Sequence, residues 1–168
     1  MRSTLNNIAC LLAITALSSF MATTVRAQSP HFIKGPTASL DTSTGDYCVS
    51  FKEAGLGNTP ITYTLTAGTE IFTFQCFTKS GNKPQGEPNS VSFSDVSTST
   101  TLTPRNGQIT GSLCLIPEQD GASCQGAGLV LKLLAVAYET VQFCDATNGI
   151  CVTTADLSGD VKPPLAFP

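Results

Sequence analysis

The sequence contains a single histidine, His31, which lies near the amino terminus of the predicted mature chain. A Ser-His-Asp triad needs a histidine that the fold holds in place, and we expect no regular structure around His31. The chain also has no C-x-x-C pair, whereas zinc sites use closely spaced cysteine and histidine ligands. We therefore predict no catalytic residue, no metal ligand and no cofactor.

Basic residues are also scarce. The chain has 9 Lys and Arg residues against 12 Asp and Glu residues, which gives a net charge of −3. The mature chain loses Arg2 and Arg26, so its net charge falls to −5. Proteins that bind nucleic acid present clustered basic residues to the phosphates, and the sequence shows no such stripe. We therefore predict that nucleic acid is not a partner.

The apolar run at the amino terminus, residues 8–20, is too short to span a membrane, because a span of about 30 Å needs about 20 residues. A basic residue precedes this run, and small residues, Val25 and Ala27, occupy the third-last and last positions of the segment. This pattern is typical of a secretory signal peptide. We predict a signal peptide over 1–27 and loss of Cys10, and the alternative is an uncleaved membrane anchor. The mature protein is then secreted or periplasmic, without a membrane span.

Helix-forming residues are rare after the signal peptide, and short alternating runs of apolar and polar residues take their place. Gly, Asn and Pro separate these runs, which is typical of strands and turns. The pattern predicts an all-β fold, an immunoglobulin-like antiparallel β-sandwich. A buried helix is the alternative over 129–137, because Leu and Ala favour helices. The predicted strands cover residues 46–51, 61–67, 71–78, 91–95, 100–103, 108–116, 129–144 and 150–157.

The mature chain has 141 residues, which suits a single domain. We place this β-sandwich domain at 28–160. The last residues, 161–168, contain three prolines and no strand pattern, so we expect a peripheral or disordered tail.

Six cysteines follow the signal peptide, and an even number in a secreted chain indicates disulfides. Composition alone leaves their pairing open. Cys144 and Cys151 flank a four-residue turn, and Cys114 and Cys124 flank the loop L-I-P-E-Q-D-G-A-S. Local closure therefore predicts the pairs 144–151 and 114–124, and the pair 48–76 remains. The six residues are Cys48, Cys76, Cys114, Cys124, Cys144 and Cys151.

Successive antiparallel strands reverse direction, so alternate loops lie at the same end of a sandwich. With a hairpin at 67–70, this rule collects the loops 54–59, 79–90, 104–107 and 145–149 at one end. Loops on a rigid scaffold often carry binding residues, although Gly, Asn and Pro also occur in turns for backbone reasons alone. The candidate surface consists of Gly55, Gly57, Asn58, Asn82, Lys83, Pro84, Arg105 and Asn106.

The stretch E-A-G-L-G-N-T at 53–59 raises the question of a phosphate-binding loop. A dinucleotide loop needs a third glycine and a following helix, whereas here a predicted strand follows. A P-loop would need Gly-Lys-Ser/Thr, which is absent. We therefore interpret this stretch as a turn.

Three motifs resemble those of a set of small, uncharacterised secreted bacterial proteins. They are A-G-L-G-N at 54–58, a G-N-x-P segment at 81–84 that resembles the family's G-G-N-x-x-P-G loop, and T-P-R-N-G at 103–107. The order and spacing match over 48–112, although Ser80 stands where a glycine is usual. The resemblance implies an immunoglobulin-like sandwich in the extracellular compartment, and it implies no particular activity.

The sequence therefore predicts a secreted, non-enzymatic protein that binds or adheres to a protein or a glycan through one loop-rich end. Two alternatives remain. An extracellular hydrolase would bring together two or more of Glu118, Glu139 and Asp145 in one cleft, and a secreted inhibitor or effector would present a long loop, 79–90 or 117–128. The oligomeric state is not predicted.

Overall fold

The computed structural model describes residues 29–80 and 82–167. Over these residues all regular elements are β-strands, and none is a helix of the length and apolarity that a membrane crossing requires. The predicted signal peptide at 1–27, with Cys10, lies outside the described residues. The strands are β1 (His31–Leu40), β2 (Tyr47–Ala54), β3 (Ile61–Thr78), β4 (Pro84–Leu102), β5 (Gln108–Leu115), β6 (Leu129–Asp145), β7 (Ile150–Thr153) and β8 (Leu157–Ala166).

The strands form two antiparallel sheets that pack on each other. The smaller sheet has the order β1-β2-β5, and the larger sheet has the order β4-β3-β6-β7, with β8 also paired to β6. β7 and β8 follow one another along the same side of β6, where they pair with 142–145 and with 132–138. The predicted all-β antiparallel sandwich is confirmed, and 129–145 is a strand and not a helix.

Side chains from both sheets meet in one aromatic-rich core. Every second residue of β2 is buried, as the period-two geometry of a strand requires. The ring of Phe51 in β2 lies 4.4 Å from that of Tyr63 in β3 and 4.7 Å from that of Phe143 in β6, measured between centroids. Aromatic pairs of this kind contribute about 0.5–1.5 kcal/mol each beyond the area they bury. They therefore join the two sheets near one end of the sandwich.

β3 runs without interruption through 67–70, where the sequence predicted a hairpin. Gly68 lies level with Asp95 of β4 and Thr140 of β6, and the φ angles of these two residues are 54° and 55°. In β3, β4 and β6 two successive residues at this level face away from the core. The spacing between core-facing residues is therefore three residues here, whereas it is two on either side. The hairpin prediction was wrong because the apolar pattern changes phase within the strand.

We call Gly68, Asp95 and Thr140 the phase-change row. This row also explains why the predicted strands at 91–95 and 100–103 are parts of one strand, β4. The phase change separates two apolar patterns that belong to a single extended segment. The three long strands β3, β4 and β6 therefore cross the molecule from end to end.

Three disulfides cross-link the sandwich, and one of them was predicted correctly. Cys144 and Cys151 are opposite each other in β6 and β7. The predicted pairs 48–76 and 114–124 were wrong, because Cys48 is bonded to Cys114 and Cys76 to Cys124. Cys48 and Cys114 face each other across β2 and β5, which become neighbours because β3 and β4 belong to the other sheet.

The first and the last residues that the structure describes are more regular than the sequence indicated. Residues 31–40 form β1, and His31 is opposite Ala54 of β2. The predicted tail boundary at 161 falls inside β8, where Val161 is only 2% exposed. The strand continues through the prolines because β8 is an edge strand, and proline is tolerated at a sheet edge.

Candidate functional site

Three loops lie together at one end of the sandwich: 55–60, 103–107 and 146–149. We call this surface the loop pole. The backbone N–H of Leu56 donates to the carbonyl of Gly107 at 3.1 Å, and the Leu56 side chain is buried in the core. The stretch A-G-L-G-N is therefore a corner whose leucine closes the end of the core.

The hairpin turn at 105–108 forms the centre of the loop pole. Arg105 pairs with Gln108, and the two residues between them, Asn106 and Gly107, have φ angles of 52° and 70°. Positive φ at both positions is the geometry of a type I′ turn, which favours Asn-Gly. A Cβ at Gly107 would lie 2.9 Å from the carbonyl oxygen of Leu56. Only glycine fits at this position without a shift of the adjoining loop.

The structure divides the predicted candidate surface between the two ends of the sandwich. Because β3 is one strand and not two, the 79–83 loop lies at the end opposite the loop pole; Ile61 is level with Leu102, and Phe77 is level with Pro84. The single predicted surface was wrong for this reason. The loop pole contains Gly55, Gly57, Asn58, Arg105 and Asn106, and the opposite end contains Asn82, Lys83 and Pro84.

Two buried carboxyl groups lie beneath the loop pole. Glu53 of β2 and Asp145 of β6 are both 0% exposed. The Tyr63 hydroxyl donates to Glu53 Oε2 at 2.7 Å, and this bond joins the two sheets. Asp145 accepts hydrogen bonds from the backbone N–H of Asn148 at 2.9 Å and from its side-chain amide at 2.5 Å. The two carboxyls therefore hold the strands and the 146–149 loop in place.

Burial raises the pKa of the Glu53 carboxyl, and the neighbouring Asp145 raises it further. The hydrogen bond from Tyr63 and the charge of His31 act in the opposite direction. Glu53 Oε1 has no hydrogen-bond partner among the described residues, and the neighbouring Asp145 carboxyl favours the protonated form of Glu53. Because neither carboxyl is exposed, the pair stabilises the loop pole and does not reach a substrate in this conformation.

The signal for Glu53 is visible in the sequence, although we did not single it out. It occupies the fourth inward position of β2, after Tyr47, Val49 and Phe51. A carboxylate at a core-facing position destabilises the folded state unless it is paired or protonated. An acidic residue in phase with a run of apolar residues therefore indicates a buried polar cluster.

Basic side chains line two adjoining depressions beside the loop pole. A depression of about 310 Å³ is lined by Lys34 and Lys52, which are level in β1 and β2. A second depression of about 550 Å³ is lined by Lys52 and Arg105, and Thr110 lines both. We call Lys34, Lys52 and Arg105 the basic face.

No acidic residue lines either depression of the basic face. Within 29–80 and 82–167 the only ion pair joins Lys162 to Asp160 at 3.1 Å, so no carboxylate there neutralises the three cations. Hydroxyl and amide side chains lie between them, namely Thr37, Ser50, Thr103, Gln108 and Thr110. The basic face therefore combines positive charge with neutral hydrogen-bonding groups, on a chain whose net charge is −3.

The carboxylates proposed for a hydrolase lie far apart in the fold. Glu118 is in the 116–128 loop, Glu139 is exposed on the outer face of β6, and Asp145 is buried beneath the loop pole. No group of three His, Cys, Asp or Glu side chains in the described part of the chain is arranged to hold a metal ion. These acids therefore do not form a common site.

The loops proposed for an inhibitor are short or tied to the sandwich. The 79–83 loop is brief because 84–90 already belongs to β4. The 116–128 loop is bonded to β3 through Cys124 and Cys76, and the backbone N–H of Lys79 donates to the carbonyl of Gly128 at 2.9 Å. Of the two candidate loops, 116–128 alone is long.

No protein-family model matches the chain, and no curated protein is significantly similar to it. The resemblance to small secreted bacterial proteins therefore stays a prediction. Two of its motifs, at 54–58 and 103–107, meet in the loop pole through the Leu56–Gly107 hydrogen bond. The third motif, which ends at Pro84, lies at the other end of the sandwich.

Proposed function

We propose that the protein is a secreted, non-enzymatic binding protein that recognises an acidic extracellular polysaccharide through its basic face. The observation that carries this proposal is the pair of adjoining depressions, which share Lys52 and Thr110 and are lined by no acidic residue. Their volumes lie in the range of small-ligand clefts. A chain of sugars that crosses both depressions would meet Lys34, Lys52 and Arg105 in turn.

The neutral groups of the basic face favour a sugar ligand over a peptide. Sugar hydroxyls both donate and accept hydrogen bonds, and so do the hydroxyls of Thr37, Ser50 and Thr110. Carboxylate or sulfate groups on the sugar supply the charge that pairs with the cations. The adjoining turn is held by the Arg105–Gln108 pairing and by the hydrogen bond from Leu56 to Gly107, so this part of the site needs little ordering when it binds.

The compartment and the fold support an extracellular role. Three intramolecular disulfides are typical of extracellular or periplasmic proteins. We infer that the sandwich is immunoglobulin-like, because β1-β2-β5 packs on β4-β3-β6-β7 and such sandwiches present loops at their two ends. Secretion by the signal peptide at 1–27 is part of the same proposal.

Binding of the mature chain to polygalacturonate, a carboxylated polysaccharide, tests the proposal by isothermal titration calorimetry. The variant with Lys52→Glu and Arg105→Glu should bind at least about 100-fold more weakly, since each of the two lost charge-assisted contacts is worth about 1.5–3 kcal/mol. Lys79→Glu with Lys83→Glu, at the opposite end, changes the net charge equally and should bind within about threefold of the wild type, as expected of surface changes outside the site.

Equal weakening in both double variants would show that only net charge matters and would refute a site at the basic face. Equal affinity for polyglutamate would contradict the sugar class of ligand, because that chain offers carboxylates without hydroxyls. Dextran, a neutral polysaccharide, serves as the reference and should not bind.

A further inference from the structure

β4 is the outermost strand of the larger sheet and has 19 residues. Only β3 pairs with it in the part of the chain that the structure describes. An edge strand directs about half of its backbone N–H and C=O groups away from its one partner, which makes it a template for another strand. The outer side of β4 is therefore a long row of hydrogen-bonding groups.

Other edges of the two sheets carry features that discourage pairing. β1 contains Pro36 and two register shifts, and β8 contains Lys162, Pro163 and Pro164. Prolines, lysines and bulges are the usual means by which proteins blunt an edge. β5 and β7 have only 8 and 4 residues.

The carboxyl-terminal half of β4 has none of these features. Its first residues include Pro84 and Pro88, but 89–102 contains no proline, lysine or arginine, and Asp95 is its single charge. Beyond Asp95 the segment 96–100 reads V-S-T-S-T, with Val96 half-buried and the serines exposed. We call 96–100 the open edge.

We propose that two copies of this chain associate by antiparallel pairing of their open edges, centred on Thr98. The open edge is self-complementary in this register: Ser97 of one copy lies opposite Ser99 of the other, and Val96 lies opposite Thr100. Asp95 lies opposite Thr101, so no like charges face each other. The contact is isologous, as a two-fold symmetric dimer requires.

The side chains of 96–100 are small and uncharged, so two copies can pair through this segment without facing like charges, and this favours a second copy as the occupant. In such a dimer the two larger sheets join into one continuous sheet, and the half-buried Val96, Thr98 and Thr100 stay on the core side in both copies. β3 pairs with every residue of the open edge, from Val96 opposite Ala67 to Thr100 opposite Tyr63. The open edge is therefore held in strand geometry before a partner arrives.

Sedimentation velocity of the mature, disulfide-bonded chain tests the proposal over a range of concentrations. The wild type should dimerise with a dissociation constant on the order of 10–100 µM, because a short edge contact is smaller than a standard interface. Ser97→Lys with Ser99→Lys should stay monomeric, since lysines would then face lysines across the contact. Ser92→Lys with Ser94→Lys adds the same charge to the same strand outside the open edge and should dimerise like the wild type.

A charge-reversal experiment identifies the register itself. Ser97→Glu with Ser99→Glu should also stay monomeric alone, and an equimolar mixture with the lysine variant should form a heterodimer, because residue 97 of one copy faces residue 99 of the other. Equal thermal unfolding midpoints would show that both variants fold. A wild type that is monomeric at every concentration, dimerisation of either variant alone, or no heterodimer on mixing would each overturn the proposal.

Discussion

Glu70 faces the core from the middle of β3 and is only 2% exposed. Burial raises the pKa of its carboxyl to about 7, and the charge of Glu118 in the 116–128 loop acts in the same direction. The Tyr138 hydroxyl, which is near Glu70, donates to the carbonyl of Gly45 at 2.9 Å and not to the carboxyl. Glu70 Oε1 has no hydrogen-bond partner among the described residues. Folding therefore keeps the Glu70 carboxyl protonated up to a pH of about 7.

The stability of the protein should fall as the pH rises from about 4.5 to about 7, the window between the reference and folded pKa values of Glu70. In this window the unfolded chain loses the proton and the folded chain keeps it, so deprotonation favours unfolding. At 1.36 kcal/mol per pKa unit, the difference between the two pKa values lowers the free energy of unfolding by roughly 3 kcal/mol at most. Glu70→Gln removes this dependence and should be more stable than the wild type at pH 8.

Chemical denaturation at several pH values measures the effect. Glu53, whose pKa burial also raises, adds a slope of the same sign, so the Glu70→Gln curve should be flatter but not level. Glu139→Gln, at an exposed position of β6, is the matched control and should keep the wild-type slope. A Glu70→Gln slope equal to that of the wild type would rule out Glu70 as the source.

At the scale of single strands, the row at Gly68, Asp95 and Thr140 gives the three long strands their shape. Thr140 has a φ of 55°, and a positive φ is unusual for a β-branched residue. The backbone N–H of Thr140 donates to Asp156 Oδ1 at 2.8 Å, which helps to hold this conformation. Strain of this kind costs about 1–3 kcal/mol per residue.

Thr140→Asn should raise the free energy of unfolding by roughly 1 kcal/mol, because asparagine tolerates the left-handed conformation and keeps the N–H that donates to Asp156. Thr64→Asn, at an outward position of β3 without a positive φ, is the control. It should lower stability slightly, since asparagine is depleted in strands. Urea denaturation compares the two, and destabilisation by Thr140→Asn as large as by Thr64→Asn would argue against strain at this row.

At this row the local sequence pattern could not distinguish a continuous strand from a turn. The strands around Tyr63 and Phe72 were predicted because their apolar residues alternate with period two. The phase change at Gly68 was interpreted as a turn, since a glycine between two alternating runs has the same local signature in both cases. The error moved Lys83 to the wrong end of the sandwich. The end of the sandwich to which a loop is assigned therefore depends on every strand assignment that precedes the loop in the sequence.

The candidate site was predictable only in part for the same reason. Arg105 and Asn106 were placed at a turn because Asn-Gly favours positive φ, and they lie at the loop pole. Lys34 and Lys52 were not singled out, because their adjacency follows from the pairing of β1 with β2. No regular structure was expected around His31, so that pairing was not predicted. A site assembled across strands is visible only when the register is known.

At the scale of the whole molecule, the three disulfides constrain the unfolded chain to different extents. Cys48–Cys114 joins residues 66 apart, whereas Cys144–Cys151 joins residues 7 apart. In the chain-entropy description the longer loop restricts the unfolded ensemble more, by roughly 4 kcal/mol against roughly 2 kcal/mol. Both bridges link directly opposite residues of neighbouring strands, so their folded-state environments are closely matched.

Replacement of Cys48 and Cys114 by alanine should therefore lower the free energy of unfolding by roughly 2 kcal/mol more than replacement of Cys144 and Cys151. The second double variant is the control for the loss of a cross-strand bridge as such. Guanidinium denaturation of the two purified variants, each with its remaining bridges formed, measures the difference. Equal losses would show that local strand pairing, and not restriction of the unfolded chain, determines what these bridges contribute. A loss roughly 2 kcal/mol larger for the 48–114 pair would instead show that restriction of the unfolded chain, which grows with the length of the closed loop, determines the difference between the two bridges.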